Sequence, residues 1–280
     1  MISDLFFARK AYLRWSLFCA AIAIFFSCGA NKYKKVKDLY DRWEYQRLAQ
    51  SDLDCNDFSR KCFQIKLLLA DSQFRLGHLE HALRFSEHAL ERQHKENNLH
   101  DLYYLHLLRT EIIFKLLPEI HQISSRQEVL KNLGNELLEA LEHDDFNMKD
   151  TVLVSRRNEL RVKLGEIYLY QMDWIEQEGL ERYFEAIKNL VQRFPSELRE
   201  EGYEKYFLLQ GEFKLLLPQL KTWSSKGNLA GGREQLLEKL KSIYVEGLTL
   251  RRQPLYQDKY DHQIDIFLKQ LDQYMKQLVL

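Results

Sequence analysis

The chain has 280 residues, 45% of them hydrophobic and 29% charged, so it can bury a sizeable core and is too apolar for a disordered protein. Basic and acidic residues are equal in number, at 41 each. Nucleic-acid binding usually requires a basic face that displaces counterions from phosphates, so this balance argues against a nucleic-acid partner. Only 4 Pro and 11 Gly are present, and Leu, Glu, Lys and Gln are abundant, which predicts an all-α fold built from long helices.

The first 27 residues have the pattern of a signal peptide. Three basic residues precede an apolar run over residues 15–26, which is shorter than the roughly 18–20 residues of a membrane-spanning helix. This segment carries three basic residues and one acidic residue, so residues 28–280 contain 38 basic and 40 acidic residues. We therefore predict a signal peptide over 1–27 and one α-helical repeat domain over 28–280.

Residues 25–28 resemble a bacterial lipobox, the motif whose cysteine is acylated and becomes the mature N-terminus. Cys28 stands in the place of the acylated cysteine, whereas Phe25 and Phe26 depart from the Leu and the small residue that the motif prefers. The resemblance implies an N-terminal lipid anchor (a palmitate-bearing lipoprotein) at Cys28. An uncleaved anchor helix and an ordinary cleaved signal are the alternatives. No acidic residue follows Cys28 directly, which by resemblance to bacterial lipoproteins favours the periplasmic face of the outer membrane.

Helical periodicity begins at about residue 33. It predicts one helix over residues 33–50, in which Trp43 shares the apolar face of Val36 and Leu48. A turn over residues 51–58 follows, because polar residues replace the periodic apolar ones there.

Two cysteines border this turn, and export would place them in an oxidising compartment. On one continuous helix Cys55 and Cys62 would lie ~10 Å apart, which is too far for a disulfide. Residues 52–57 read as a turn, however, with Asp57 or Ser59 as the N-cap of the next helix. The loop cysteine could then fold back onto that helix, so we predict a Cys55–Cys62 disulfide.

Residues 67–90 combine small residues at one-face helical spacing with a turn between two helices. Small residues stand at Ala70, Ala82 and Ala89, an aromatic residue on the same face at Phe85, and the turn at Leu76-Gly77. This stretch resembles a tetratricopeptide repeat, a pair of helices that packs in series with further pairs.

A second stretch resembles helix A of the same family. It contains Leu164-Gly165 followed three residues later by Tyr168. The helix B that follows would end before Pro195, in the place of the proline that closes the family's repeats. Residues 173–179 read as an insertion between the two helices.

The remaining periodic segments predict further helices without a family signature. These are residues 99–117 closed by Pro118, a helix from a Ser125–Glu128 capping box to Leu141, residues 197–217 ending at Pro218, residues 233–250, and residues 258–278. The last helix is interpreted as a cap on the array, and a docking helix is the alternative. The predicted fold is therefore an all-α, degenerate tetratricopeptide-like solenoid of helical hairpins with a C-terminal capping helix.

No motif indicates catalysis. Asp52-x-Asp54-x-Asn56 opens like a calcium loop but lacks the glycine and the bidentate glutamate that the loop requires. His78, His81 and His88 are interpreted as solvated side chains. Some aromatics are candidates for a surface that binds protein, but core is the favoured interpretation for aromatics at helical spacing. The candidates are Tyr103-Tyr104, Tyr203, Tyr206 and Phe207. We predict no catalytic residue, metal, cofactor or small-molecule substrate.

These patterns predict a membrane-anchored scaffold or adaptor lipoprotein that binds another protein in a bacterial cell envelope. One alternative is a surface-exposed structural lipoprotein that contacts host or matrix molecules. A cell-wall hydrolase, or an accessory to one, is less favoured, since no stretch is left over to house a catalytic domain. The sequence does not indicate which protein is the partner.

Overall fold

A computed structural model describes residues 31–55, 57, 59–93, 98–142, 149–175, 177–226 and 232–279. These residues form helices and no strand, which confirms the predicted all-α class. The chain divides into two compact units, the first ending at Pro118 and the second beginning at Glu119, where the sequence predicted a single domain. The predicted signal peptide and Cys28 lie outside the described residues.

Unit 1 is built around α3. Its helices are α1 (31–41), α2 (Tyr45–Ala49), α3 (Arg60–Arg75), α4 (Leu79–Glu91) and α5 (Leu99–Leu116). One side of α3 packs on α4 and α5 through Phe63, Leu67 and Ala70. The other side packs on α1 and α2 through Ile65 and Leu69. Helix α3 is therefore the buried centre of the unit.

The helix predicted over 33–50 is interrupted, so this prediction is wrong at Trp43. The backbone of Trp43 has a φ of 65°, in the left-handed region. The N–H of Trp43 donates to the carbonyl of Tyr40 at 2.9 Å, and that of Glu44 to the carbonyl of Leu39 at 3.0 Å. This pair of hydrogen bonds closes a helix C-terminus. The chain then turns back, so that α2 buries Leu48 while the Trp43 side chain stays in solvent.

Unit 2 contains longer helices that pack in sequence. They are α6 (Ile123–Leu141), α7 (Thr151–Trp174), α8 (Gln177–Gln192), α9 (Ser196–Glu201), α10 (Tyr203–Lys226), α11 (Gly232–Leu250) and α12 (Asp261–Val279). Helix α6 packs on α7, α7 on α8, α8 on α10, α10 on α11 and α11 on α12. In addition α7 contacts α10, and α10 contacts α12. Each long helix from α7 onward thus contacts its successor, and alternate ones also meet.

The start of α6 differs from its prediction. The helix begins at Ile123, with Gln122 as an N-cap residue that makes no side-chain capping bond. Ser125 lies inside the first turn, where its hydroxyl donates to the side chain of Gln122 at 3.3 Å. A residue within the first turn cannot act as the N-cap, so the predicted Ser125–Glu128 capping box is wrong. The predicted end at Leu141 is confirmed.

The insertion predicted over 173–179 is mostly helix. Helix α7 continues through Trp174, and α8 starts at Gln177. The extra turn of α7 is held by the buried side chain of Gln171, which donates to the carbonyl of Gln127 on α6 at 3.0 Å. This contact between α6 and α7 favours a longer helix over a loop.

Helix α10 passes through Pro218, where a helix end was predicted. A proline inside a helix removes one hydrogen bond and costs about 3 kcal/mol. The buried residues Phe213, Leu216 and Leu220 lie on both sides of the proline at spacings of three and four. Because all three belong to one packed face, their burial outweighs the local cost and the helix continues.

The last helix has the predicted buried stripe. It begins at Asp261 after a π-helical turn, Tyr256–Tyr260. The residues of the stripe are Tyr260, Ile264, Phe267, Leu271 and Leu278, all buried. Helix α12 therefore covers α11 and α10 with its apolar face.

Candidate functional site

The structure pairs Cys55 with Cys62 in a disulfide whose Cα atoms are 5.7 Å apart. The hydroxyl of Ser59 accepts from the N–H of Cys62 at 3.2 Å, so Ser59 is the N-cap of α3. The helix therefore begins after Cys55, which lies in the loop and folds back toward the first turn of α3. Both cysteines are buried, so this bond fastens the loop to the core of unit 1.

The residues of the first repeat-like stretch come together at the contact between α3 and α4. Ala70, Ala82 and Ala89 are completely buried, and Phe85 packs at the edge of the same cluster. The turn falls at Leu76-Gly77, where Gly77 has a φ of 79° that suits glycine. These residues let two helices approach closely.

The second repeat-like stretch lies on α7. Leu164 and Gly165 are buried, and Tyr168 is partly buried with its ring 6.2 Å from that of Tyr183 on α8. A Cβ atom added at Gly165 would stand 2.7–2.9 Å from the ring of Phe207 on α10. Gly165 is thus a point of close approach between α7 and α10. Pro195 is the residue before α9, so it separates α8 from the next helix.

The aromatic residues considered as surface candidates are mostly core, as their helical spacing favoured. Tyr103 is completely buried, and Tyr104 is partly buried beside it. In unit 2, Tyr206 packs edge-on against Phe207 and Tyr260, with ring centroids 5.4 and 5.0 Å away. Desolvation raises the pKa of Tyr206, and the charge of Glu166 raises it further. These aromatics stabilise the fold and offer no exposed anchor.

Sequence reasoning missed a buried carboxylate in unit 1. Asp71 on α3 is only 2% exposed, and its carboxylate accepts hydrogen bonds from the Tyr40 hydroxyl and, at 2.7 Å, from the Arg75 guanidinium. Burial raises the pKa of Tyr104 to about 12, and the neighbouring charge of Asp71 adds to this rise. Arg75 also lies 5.3 Å from the ring centre of Tyr45. A charged residue inside an apolar helix was the only signal of this network, which ties α1 and α2 to α3.

A second buried charge lies beside the disulfide. Lys66 on α3 is 1% exposed, and its ammonium group is 2.6 Å from the carboxylate of Asp54. The same ammonium group is 5.5 Å from the ring centre of Phe85. Asp54 therefore serves as the counter-ion of a buried lysine, which explains an acidic residue in the failed calcium-like motif.

A groove open to solvent runs along unit 2 between α10 and α11. One part is a cavity of about 410 Å³, to which α8 also contributes. Its lining combines apolar side chains, among them Leu180, Leu215 and Ile243, with the charged side chains Glu181 and Glu212. Desolvation raises the pKa of the Glu212 carboxyl, and the nearby charge of Glu246 raises it further. A carboxylate beside apolar side chains favours a cationic amphipathic occupant.

The groove extends past this cavity. A second cavity of about 320 Å³ lies further along α10 and α11 and shares Gln219 and Lys239 with the first. Their combined length follows helix α10 from Glu212 to Thr222, about 15 Å at the helical rise. That length suits three turns of a bound helix or a short extended segment.

A further cavity, of about 350 Å³, lies among α6, α7 and α8 and is lined by three arginines. Arg157 donates to the carbonyl of Leu141 at 2.7 Å and so satisfies the C-terminus of α6. Arg161 donates to the side chain of Asn158 at 2.9 Å. Arg157 and Arg161 therefore stabilise the fold through these hydrogen bonds.

Among the described residues, no group of three or more His, Cys, Asp or Glu side chains could hold a metal ion. Within the same part of the chain, no helix has the length and apolarity needed to cross a bilayer. No protein-family model matches the sequence, and no curated protein matches it either.

Proposed function

We propose that this protein is a lipid-anchored scaffold of a bacterial cell envelope, whose tetratricopeptide-like helical hairpins hold another protein and catalyse no reaction. The observation that carries the proposal is the open groove along α10 and α11 of unit 2. The signal-like residues 1–27 and the lipobox-like residues ending at Cys28 support the anchor.

The order of helix packing supports a repeat array. In unit 2, α7 contacts both α8 and α10, and α10 contacts both α11 and α12. This is the pattern expected when successive helical pairs stack, because the first helix of each pair meets its own partner and the first helix of the next pair. The small residues of the two signatures lie at such contacts in each unit.

The groove's chemistry indicates what kind of segment it would bind. Its lining combines apolar side chains with the carboxylates Glu181 and Glu212, and Lys239 is the one lysine among the residues that line the larger cavity. We propose an amphipathic segment of another protein, with apolar side chains against the apolar lining and a basic side chain against Glu212.

The anchor is tested by replacing Cys28 with Ala and labelling cells with a clickable fatty acid. We expect the unaltered chain to be labelled and to sediment with membranes, and the variant to lose the label, since only the Cys28 thiol would be acylated. Cys19→Ala serves as the control and should keep the label. Equal labelling of both variants and the unaltered chain, or none at all, would contradict a lipid anchor at Cys28.

The groove is tested by photo-crosslinking in cells at Ser242, which lines it, and at Lys241, which is exposed next to it on α11 and does not. We expect a discrete protein adduct from Ser242 and none from Lys241. Adding Glu212→Lys should abolish the adduct, because it places a cation against the basic side chain of the bound segment. Equal adducts from both positions, or an adduct unaffected by Glu212→Lys, would refute this occupant.

A further inference from the structure

Trp43 occupies the left-handed position at a helix C-terminus, where glycine is usually found. The two hydrogen bonds from Trp43 and Glu44 close α1 with a residue in the left-handed region. The same pair recurs at the end of α3, where Gly77 donates to Phe74 and His78 donates to Gln73. At α3 the left-handed residue is glycine, as helix ends of this type prefer. At α1 it is a tryptophan, for which this backbone has an energetic cost because the Cβ atom crowds the following carbonyl oxygen.

Packing does not repay this cost. The Trp43 side chain is 73% exposed, the largest exposed fraction among the big apolar residues described. Its ring contacts Tyr45 at a centroid distance of 6.1 Å, and Tyr45 is in turn covered by Arg75. The indole therefore faces solvent and is supported from one side by Tyr45. Left-handed strain in a bulky residue, retained without a packing gain, points to a functional contact.

The surface around Trp43 is basic, although the whole chain has no net charge. Residues 31–49 contain six basic and three acidic side chains. The three acids are already paired on this surface, Asp41 with Lys37 at 3.1 Å, Asp38 with Arg42 at 3.0 Å and Glu44 with Arg47 at 2.9 Å.

The excess positive charge of residues 31–49 includes the charges of Lys34 and Lys35. Lys34 and Lys35 are exposed, and no acidic side chain among the described residues lies within ion-pair distance of either. Lys35 lies on α1, and Arg42, seven positions later, directly follows the last residue of that helix, so both lie toward one side of its end. We call Trp43, Lys34, Lys35 and Arg42 the α1 patch.

We propose that the α1 patch seats unit 1 on an anionic lipid bilayer, with the Trp43 indole in the interfacial layer and the lysines against the headgroups. Tryptophan favours this layer because its ring is apolar while its N–H can still find a polar partner. Each basic residue near an anionic surface adds about fivefold to binding, equivalent to about 1 kcal/mol. The proposal rests on the proposed anchor at Cys28, which lies three residues before the first described residue of α1 and would hold this helix at the bilayer.

The test uses the full chain reconstituted into vesicles of phosphatidylcholine, with or without phosphatidylglycerol, whose acyl chains are brominated to quench tryptophan. We expect stronger quenching in the anionic vesicles. Trp43→Gly should lose that increment, whereas Trp223→Phe, which alters a tryptophan of unit 2, should keep it. Lys34→Gln with Lys35→Gln should reduce the increment in anionic vesicles only.

Trp43→Gly separates the lipid contact from folding. Because glycine suits the left-handed backbone, this variant should unfold at the same temperature as the unaltered chain or a higher one. Quenching that is unchanged by Trp43→Gly, in a chain that floats with the vesicles, would overturn the α1 patch and leave the anchor intact. A chain that does not float with the vesicles would contradict the anchor and the patch together.

Discussion

Gly165→Ala is expected to lower the free energy of unfolding by roughly 1–3 kcal/mol, although alanine is the better helix former by about 1 kcal/mol. The reason is that the new methyl group would stand 2.7–2.9 Å from the ring of Phe207. That ring cannot swing aside cheaply, since it is completely buried and packed against the rings of Phe194, Tyr203 and Tyr206. Helices α7 and α10 would have to separate.

Gly134→Ala provides the matched control on α6. There a Cβ atom would meet its nearest neighbour, Ile167, at an ordinary 3.5 Å. We expect this variant to keep its stability or gain up to about 1 kcal/mol, because only the helix propensity changes. Urea unfolding of both variants measures the difference. The double variant Gly165→Ala/Phe207→Leu replaces the ring with a smaller side chain, so it should show a favourable coupling energy between the two substitutions. Equal effects of Gly165→Ala and Gly134→Ala on stability would refute the close approach.

The positions of most helices follow from the sequence because their apolar residues recur at a period set by helix geometry. The buried stripe from Tyr260 to Leu278 was predicted from this periodicity alone. The small residues Ala70, Ala82 and Ala89 likewise indicate a close helix contact by their spacing alone. Such patterns are local, and neighbouring helices reinforce them.

Two of the errors occur where the structure breaks a local propensity rule. Helix α10 continues through Pro218 because a packed face runs through it. The chain turns at Trp43 although a bulky residue disfavours the left-handed backbone. The pattern alone placed Trp43 in the core, since its spacing from Val36 fits a helical face. No sequence rule could tell that the chain reverses there.

The groove and the buried charges were beyond sequence reasoning for a related reason. Asp71 and Lys66 are charged residues within the apolar stretch of α3, and the sequence does not show whether they are buried or what they would contact. Only the packing of helices on two sides of α3 buries them. Likewise Glu181 and Glu212 line one cavity because α8 and α10 pack together. Which polar residues converge depends on tertiary contacts that periodicity does not contain.

The buried pair Lys66–Asp54 should respond unequally to the loss of its two members. Asp54→Asn is expected to lower the free energy of unfolding by about 3–5 kcal/mol, because it leaves the ammonium group of Lys66 buried without a counter-ion. Lys66→Met is expected to change it by no more than about 1 kcal/mol. The methionine fills a similar volume in the apolar core, and the side chain of Asp54, 40% exposed, can then be hydrated.

The choice of asparagine isolates the charge. Asp54 Oδ1 also accepts from the N–H of Cys55 at 2.7 Å, and an amide oxygen can keep that bond. Unfolding is followed without reductant, so that the disulfide next to Asp54 stays closed in every variant. The double variant Asp54→Asn/Lys66→Met should recover most of the stability lost in Asp54→Asn, because neither residue of the pair then carries a charge. If the two single variants were equally destabilised, or the double variant no better than Asp54→Asn, the ammonium group would not depend on Asp54. The loop that carries Cys55 would then be held by the disulfide and its apolar contacts, and the buried lysine would have another source of compensation.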